Sequence, residues 1–302
     1  MKRPPPYAVS DDLEARHPPE ADLRYNEVWT FEFSSDEGAI AGWVRLVDFV
    51  NAADGTGRAW YSAFVVGMDR ETVSVVDFGV PSPAGEALEV DAGSFKATHT
   101  CVEPLERWQV TLDSGDADGS AVALDLSFET RGVAYLYPMS GHYEVPCSVT
   151  GSVSVAGDNA EVNGCGQRSH AWAVRDWTEH GWVATAGLLD DGTRFQATRQ
   201  DLADMTAAFG YVQTPGGDVF AIEGLDEDQR PCDDGSPPRS KFVFTPGGFG
   251  VEAEHLVFCP LTLTNDDGHE SQLMRALCRF EASDGRTGWG WTEWNEPAAD
   301  DA

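Results

Sequence analysis

EVWTFEFSS (residues 27–35), AGWVRLVDFV (41–50) and RAWYSAFVVG (58–67) decide the fold class. Each alternates at period two, is rich in β-branched and aromatic residues, and is bounded by turn formers such as Asp54-Gly55-Thr56-Gly57. That is the signature of a strand, whose successive side chains point to opposite faces of a sheet. TVSVVDFG (72–79), RWQVTLDS (107–114), AVALDLSFET (121–130), SVTGSVSVAG (148–157) and AEVNG (160–164) repeat it. GWVATAGLLDDGTRFQATR (181–199) reads as a hairpin turning at Asp190-Asp191-Gly192, and the pattern continues to the last tryptophans. Only Gln200–Ala208 carries a helical period.

About fifteen strands or more, spaced by tight turns, exceed one small barrel. The expectation is therefore all-β, with two antiparallel β-barrel domains. Residues 1–25, rich in Pro and charge, form an N-terminal arm; the first domain covers 26–160 and the second 161–302. No internal repeat relates the halves.

The chain of 302 residues is 41% hydrophobic and 24% charged, which fits a globular protein. Acidic residues number 51 against 20 basic, a net charge of −31. Nucleic acid and anionic lipid, which need a basic face, are excluded as partners. No run approaches the roughly 18 apolar residues of a membrane span, so no integral membrane association is expected. The first 25 residues lack the apolar run of a signal peptide, and a cytoplasmic location is expected. Six cysteines, at 101, 147, 165, 232, 259 and 278, form no CxxC pair and are expected to be free thiols.

The densest chemistry is GCGQRSHAWAVRDWTEHGW, residues 164–182. As a strand it places Arg168, His170 and Trp172 on one face, an imidazole among aromatic walls. Such a histidine suits acid/base work near neutral pH. A buried polar core with Arg175 and Asp176 as an ion pair is the structural alternative. His170 and His180 lack a third ligand at a recognised spacing, so no metal is expected. AYLYPMSGHYEVP (134–146) adds Tyr137, His142, Tyr143 and Glu144, and reads equally as a tyrosine-rich core strand. GRTGWGWTEWNEP (285–297) puts Gly288 and Gly290 on one face and Trp289, Trp291 and Glu293 on the other, which reads as close backbone packing. No phosphate loop, dinucleotide fingerprint or Gly-x-Ser-x-Gly elbow is present, which removes the main support for kinase, nicotinamide-enzyme and nucleophilic hydrolase readings.

Tyr143-Glu144, the strand from Gly151 to Gly157, and Gly164, Gly166, Arg168, His170, Trp172, Arg175, Asp176 and Trp177 together resemble the domain junction of the carotenoid 1,2-hydratase/hydroxyneurosporene synthase superfamily, including the AttH-like proteins. Leu189–Thr193 and Asp284–Gly288 are similar too. The resemblance implies two lipocalin-like barrels packed side by side, with a hydrophobic pocket between or within them. It also implies hydration of isoprenoid double bonds or polyene cyclisation, with no metal or organic cofactor. Ser169 stands where an acid commonly precedes the histidine, so a carboxylate partner for His170 is either lost or supplied from elsewhere.

The functional expectation is a cofactor-independent hydratase, dehydratase, isomerase or cyclase acting on a hydrophobic, isoprenoid-like alkene. Its catalytic candidates are His170, Asp176, Glu144 and Tyr143; Trp172, Trp177, Trp182, Arg168 and Tyr137 would bind substrate. The contrary hypothesis is a non-catalytic carrier of a lipid or terpenoid. If the acidity is a salt adaptation, carboxylate repulsion destabilises the fold at low ionic strength and is screened as salt rises. The melting temperature is then expected to climb between low and molar salt; a flat profile removes that explanation.

Overall fold

The structure, a computed structural model, describes residues 8–35, 38–51, 57–115, 121–138, 141–202, 205–230 and 238–298. Strands make up 71% of it, and the described residues contain no α-helix. A 3-10 turn, Asp11–Glu14, lies in the arm. No described helix is long and apolar enough to cross a membrane.

Two compact units divide the chain, Met1–Arg175 and Asp176–Ala302. In the first, β1 (Tyr25–Ser35), β2 (Ala41–Phe49), β3 (Arg58–Gly67) and β4 (Arg70–Pro81) form a meander. A second run is β5 (Glu89–Asp91), β6 (Lys96–Glu103), β7 (Arg107–Asp113) and β8 (Val122–Thr130), with the short β9 (Tyr135–Leu136). The long hairpin β10 (Gly141–Val155) and β11 (Asp158–Val174) joins them in the order β4-β3-β2-β1-β11-β10-β8-β7-β6-β5. All neighbours are antiparallel, and the sheet curls into a near-closed barrel. The sequence expectation ended this domain at residue 160; β11 carries it to Arg175, because its whole length pairs with β1 and β10.

The second unit is a nine-stranded near-closed barrel. It comprises β12 (Gly181–Leu189), β13 (Arg194–Leu202), β14 (Met205–Gln213), β15 (Val219–Ile222), β16 (Gly224–Arg230), β17 (Arg239–Thr245), β18 (Phe249–Thr264), β19 (Glu270–Ala282) and β20 (Thr287–Pro297). The Asp190–Gly192 turn falls where expected, between β12 and β13. The helix expected at Gln200–Ala208 is absent: Gln200 pairs with Ala207 and Leu202 with Met205 in the β13–β14 hairpin. Helix propensity is worth only tenths of a kcal/mol per residue, and ladder pairing overrides it. Asp54–Thr56 and Cys232 lie outside the described residues; no disulfide joins the other five cysteines.

Period-two alternation fills the first barrel. Trp29, Phe31 and Phe33 of β1, Tyr61 of β3, Trp108 of β7, Phe128 of β8 and Tyr143 of β10 share one buried cluster. Gly166 lets the wall curl there. A Cβ at that position would sit 2.1 Å from the Glu32 carbonyl oxygen on β1, so only glycine allows the close approach. Gly288 and Gly290 do the same against β12, as their shared strand face implied.

His99, on β6, is fully buried in this core against Phe31 and Tyr61. Burial pushes its pKa down to about 3. It therefore stays neutral in the fold while the unfolded chain takes up a proton below about pH 6.5. Its contribution is fully present above that pH and is lost as pH falls toward 3. Relative to His99→Phe, the wild type is expected to lose about 1 kcal/mol of unfolding free energy per pH unit between 6 and 4, measured by urea denaturation. Parallel pH profiles would show His99 to be solvated.

Candidate active site

Register on β1, β10 and β11 assembles a polar cluster inside the first barrel. Trp29 lies opposite His170, Glu27 opposite Trp172, and Phe31 opposite Arg168; on the other side Tyr143 lies opposite His170. Arg168, His170 and Trp172 thus share the inward face, as their spacing predicted. His170 is 1% exposed. Its ring stacks on Trp29 at 4.9 Å and tilts against Trp172 at 5.1 Å.

Both nitrogens of His170 are engaged. Nδ1 lies 3.0 Å from the Leu13 carbonyl, which can only accept, so Nδ1 carries a proton. Tyr143 Oη stands 3.4 Å from the same nitrogen. Nε2 meets Glu27 Oε1 at 2.8 Å. That oxygen also receives the His17 backbone N–H at 3.0 Å and lies 2.9 Å from His17 Nδ1. Burial alone would raise the Glu27 pKa, but the hydrogen bonds from His17 and His170 outweigh it and hold the carboxyl below its usual range. Burial lowers the His170 pKa, and Glu27 works against that fall. An imidazolium here has an acceptor at each nitrogen yet parts readily with its proton. Tyr143 is pushed far above the ordinary phenol value by burial and by Glu14, and remains protonated.

The arm completes the cluster. His17 stacks flat on Trp172, centroids 3.5 Å apart at 9°. Its Nε2 is buried and has no hydrogen-bond partner among the described residues. Glu14, 5% exposed, pairs with Arg168 at 2.7 Å and accepts from the Leu105 N–H at 3.3 Å and from Trp108 Nε1. His17, Glu27 and His170 offer three ligating atoms within 4.8 Å of one another, a set that a divalent cation can use.

The remaining candidates stand elsewhere. Glu144 follows Tyr143 and so faces the other side of β10, where Gln167 Nε2 donates to it at 2.6 Å and His142 lies at 3.6 Å. Tyr137 packs on His142 at 4.5 Å, on that same outer side. Asp176 accepts from the Thr178 backbone at 2.8 Å, from its hydroxyl at 2.7 Å and from Asn265 at 3.0 Å, all within the second unit. Trp177 meets Trp182 edge to face at 5.6 Å, and Trp182 Nε1 donates to Glu293 at 2.9 Å. These three also fall beyond Val174, where β11 and its alternation end. The Arg175 carbonyl accepts from Asn26 at 3.1 Å. Sequence reasoning missed Glu14, His17, Glu27 and Trp29.

This is a two-barrel protein whose candidate site lies inside the first barrel. The chain belongs to a family described as a domain of unknown function, DUF7064, whose model matches residues 10–298. No curated protein matches it. Among solved structures it is similar to the protein described as AttH from Nitrosomonas europaea, at 12% identity, with 96% of this chain and 97% of that one covered and a TM-score of 0.68. It is also similar to CghA in complex with Sch210972, at 12% identity, 90% and 88% coverage and a TM-score of 0.66. Kievitone hydratase from Nectria haematococca matches at 11% identity, 96% and 93% coverage and a TM-score of 0.62. At such identities the likeness establishes the shared fold, the one expected from the motif resemblance.

The Glu14–Arg168 pair generates a direct test. Removing one partner of a buried pair strands the other charge at a cost of about 3–5 kcal/mol, whereas replacing both with apolar groups costs far less. Glu14→Ala is expected to lower unfolding free energy by about 3 kcal/mol, and Glu14→Leu combined with Arg168→Met by clearly less. Equal losses in urea titrations would show that the pair is not coupled.

Proposed function

We propose that the chain is a cofactor-independent enzyme acting on a hydrophobic, isoprenoid-like alkene by hydration, dehydration, isomerisation or cyclisation, with its acid/base chemistry inside the first barrel. The observation that carries this reading is the buried chain Tyr143, His170, Glu27, His17 set between Trp29 and Trp172. Protonating an alkene needs an acid in a dry site, and the cation formed needs an aromatic face. His170 stores the proton between Leu13 and Glu27. The chain ends at His17 Nε2, which has no hydrogen-bond partner among the described residues and can deliver a proton to the substrate carbon while Glu27 balances the charge. In hydration, water then adds to the cation and surrenders a proton to the same chain. Trp29 and Trp172 supply the faces, Tyr143 orients His170, and Arg168 fixes the arm through Glu14. The name of kievitone hydratase, and the small molecule bound to CghA, support this reaction class. A cytoplasmic setting belongs to the same proposal.

A carrier is the second reading, favoured by the saturation of both His170 nitrogens by protein atoms. The test incubates the protein in heavy water with a panel of isoprenoid alkenes and their tertiary alcohols, reading deuterium incorporation by mass spectrometry. His17→Gln, Glu27→Gln and His170→Gln are each expected to lose 10²–10⁴-fold in turnover, a typical cost of removing an acid/base group. Melting temperature should stay close to wild type for His17→Gln, the least buried member, whose side chain is 15% exposed. Binding without turnover in the wild type would establish a carrier. Activity that is lost on dialysis against EDTA and restored by a divalent metal would transfer the chemistry to a cation on His17, Glu27 and His170.

A further inference from the structure

Deeper in the same barrel, three side chains keep polar atoms that nothing described satisfies. Tyr61 and His99 are 0% exposed and Trp29 is 1% exposed. The Tyr61 hydroxyl, both His99 ring nitrogens and Trp29 Nε1 have no hydrogen-bond partner among the described residues. More than nine in ten buried polar groups in proteins are paired, and each that is not costs about 1–3 kcal/mol. Tyr61 and His99 are neighbours, with ring centroids 5.9 Å apart, on the inward faces of β3 and β6. Their other ring contacts are Phe31 and Phe95.

We infer that Tyr61 and His99 bind an uncharged oxygen, a hydroxyl or carbonyl, at one end of the hydrophobic ligand. The inference rests on the proposed function and narrows its substrate class from alkene to oxygen-bearing alkene. A neutral imidazole and a phenol present two N–H or O–H donors and two acceptor sites, which a hydroxyl or carbonyl can satisfy and a hydrocarbon cannot. A carboxylate or phosphate would enter an apolar surround with no cation among these ring contacts, at a prohibitive desolvation cost. Trp29 stacks on His170 and Phe31 meets His99. Consecutive inward residues of one strand lie about 7 Å apart, so the oxygen sits about one side-chain layer from His170.

The probes are 4-methylphenol and its hydrocarbon counterpart 1,4-xylene, titrated by calorimetry and by saturation-transfer NMR. The wild type is expected to bind the phenol about tenfold more tightly, the value of one good hydrogen bond in this setting. Tyr61→Phe and His99→Phe should each remove that preference while leaving the melting temperature unchanged or raised, because each deletes an unsatisfied group. Tyr61→Phe, which removes a single oxygen, carries the test should His99→Phe fail to fold. His170→Gln should keep the preference. Binding of neither probe, equal binding of both, or a lowered melting temperature in Tyr61→Phe overturns the inference. If the preference depends on Tyr61 and His99 but no alkene or alcohol is turned over, the oxygen site stands and the acid/base reading falls.

Discussion

One carboxylate oxygen, Glu27 Oε1, ties together everything distinctive in the first barrel. It receives a backbone N–H and an imidazole from the arm, and it faces a second imidazole from β11. A buried carboxylate is tolerable only when hydrogen-bonded. Glu27 therefore needs both histidines, and their placement needs the arm folded against Trp172. Remove that oxygen and His170 loses its counter-charge, His17 its anchor, and the arm one of its polar attachments. Arg168 and Glu14 form another.

The barrel interior was legible because alternation is a strong signal. Arg168, His170 and Trp172 face inward as their spacing required, and Tyr143 joins them through the β10–β11 register. The same rule, applied to β1, would have found Glu27: it shares parity with Trp29, Phe31 and Phe33, an acid on an apolar strand face. It also resolves the question raised by Ser169. That residue pairs with Glu144 and faces away from His170, so an acid there could not serve the imidazole, and the carboxylate comes from β1 instead. Asp176, Trp177 and Trp182 drew attention by density alone. No strand period extends to them.

The arm was not legible. Its composition, Pro-rich and charged, describes a solvated segment, and nothing in residues 8–24 shows a periodicity that would bury a side chain. Glu14 and His17 are covered by contacts with partners 91 or more residues away or on the far side of a turn, information that local pattern does not hold. Gln200–Ala208 is the converse case, where local helix preference was real and the sheet outbid it.

The Leu13–His170 contact spans 157 positions of chain, and the Arg168 ion pair almost as many. Contacts of that separation close only after the intervening chain has found its own partners, and they slow folding accordingly. During synthesis the arm emerges before any strand of the barrel, yet the wall that receives it, β11, is the last strand of its unit to leave the ribosome. Until then Glu14 lacks Arg168 and Glu27 lacks His170, and nascent chains of this unit must pass through an interval with an open, acid-lined sheet edge at β1. The high negative charge of the chain, which discourages one such edge from pairing with another, has a use in that interval that is independent of salt.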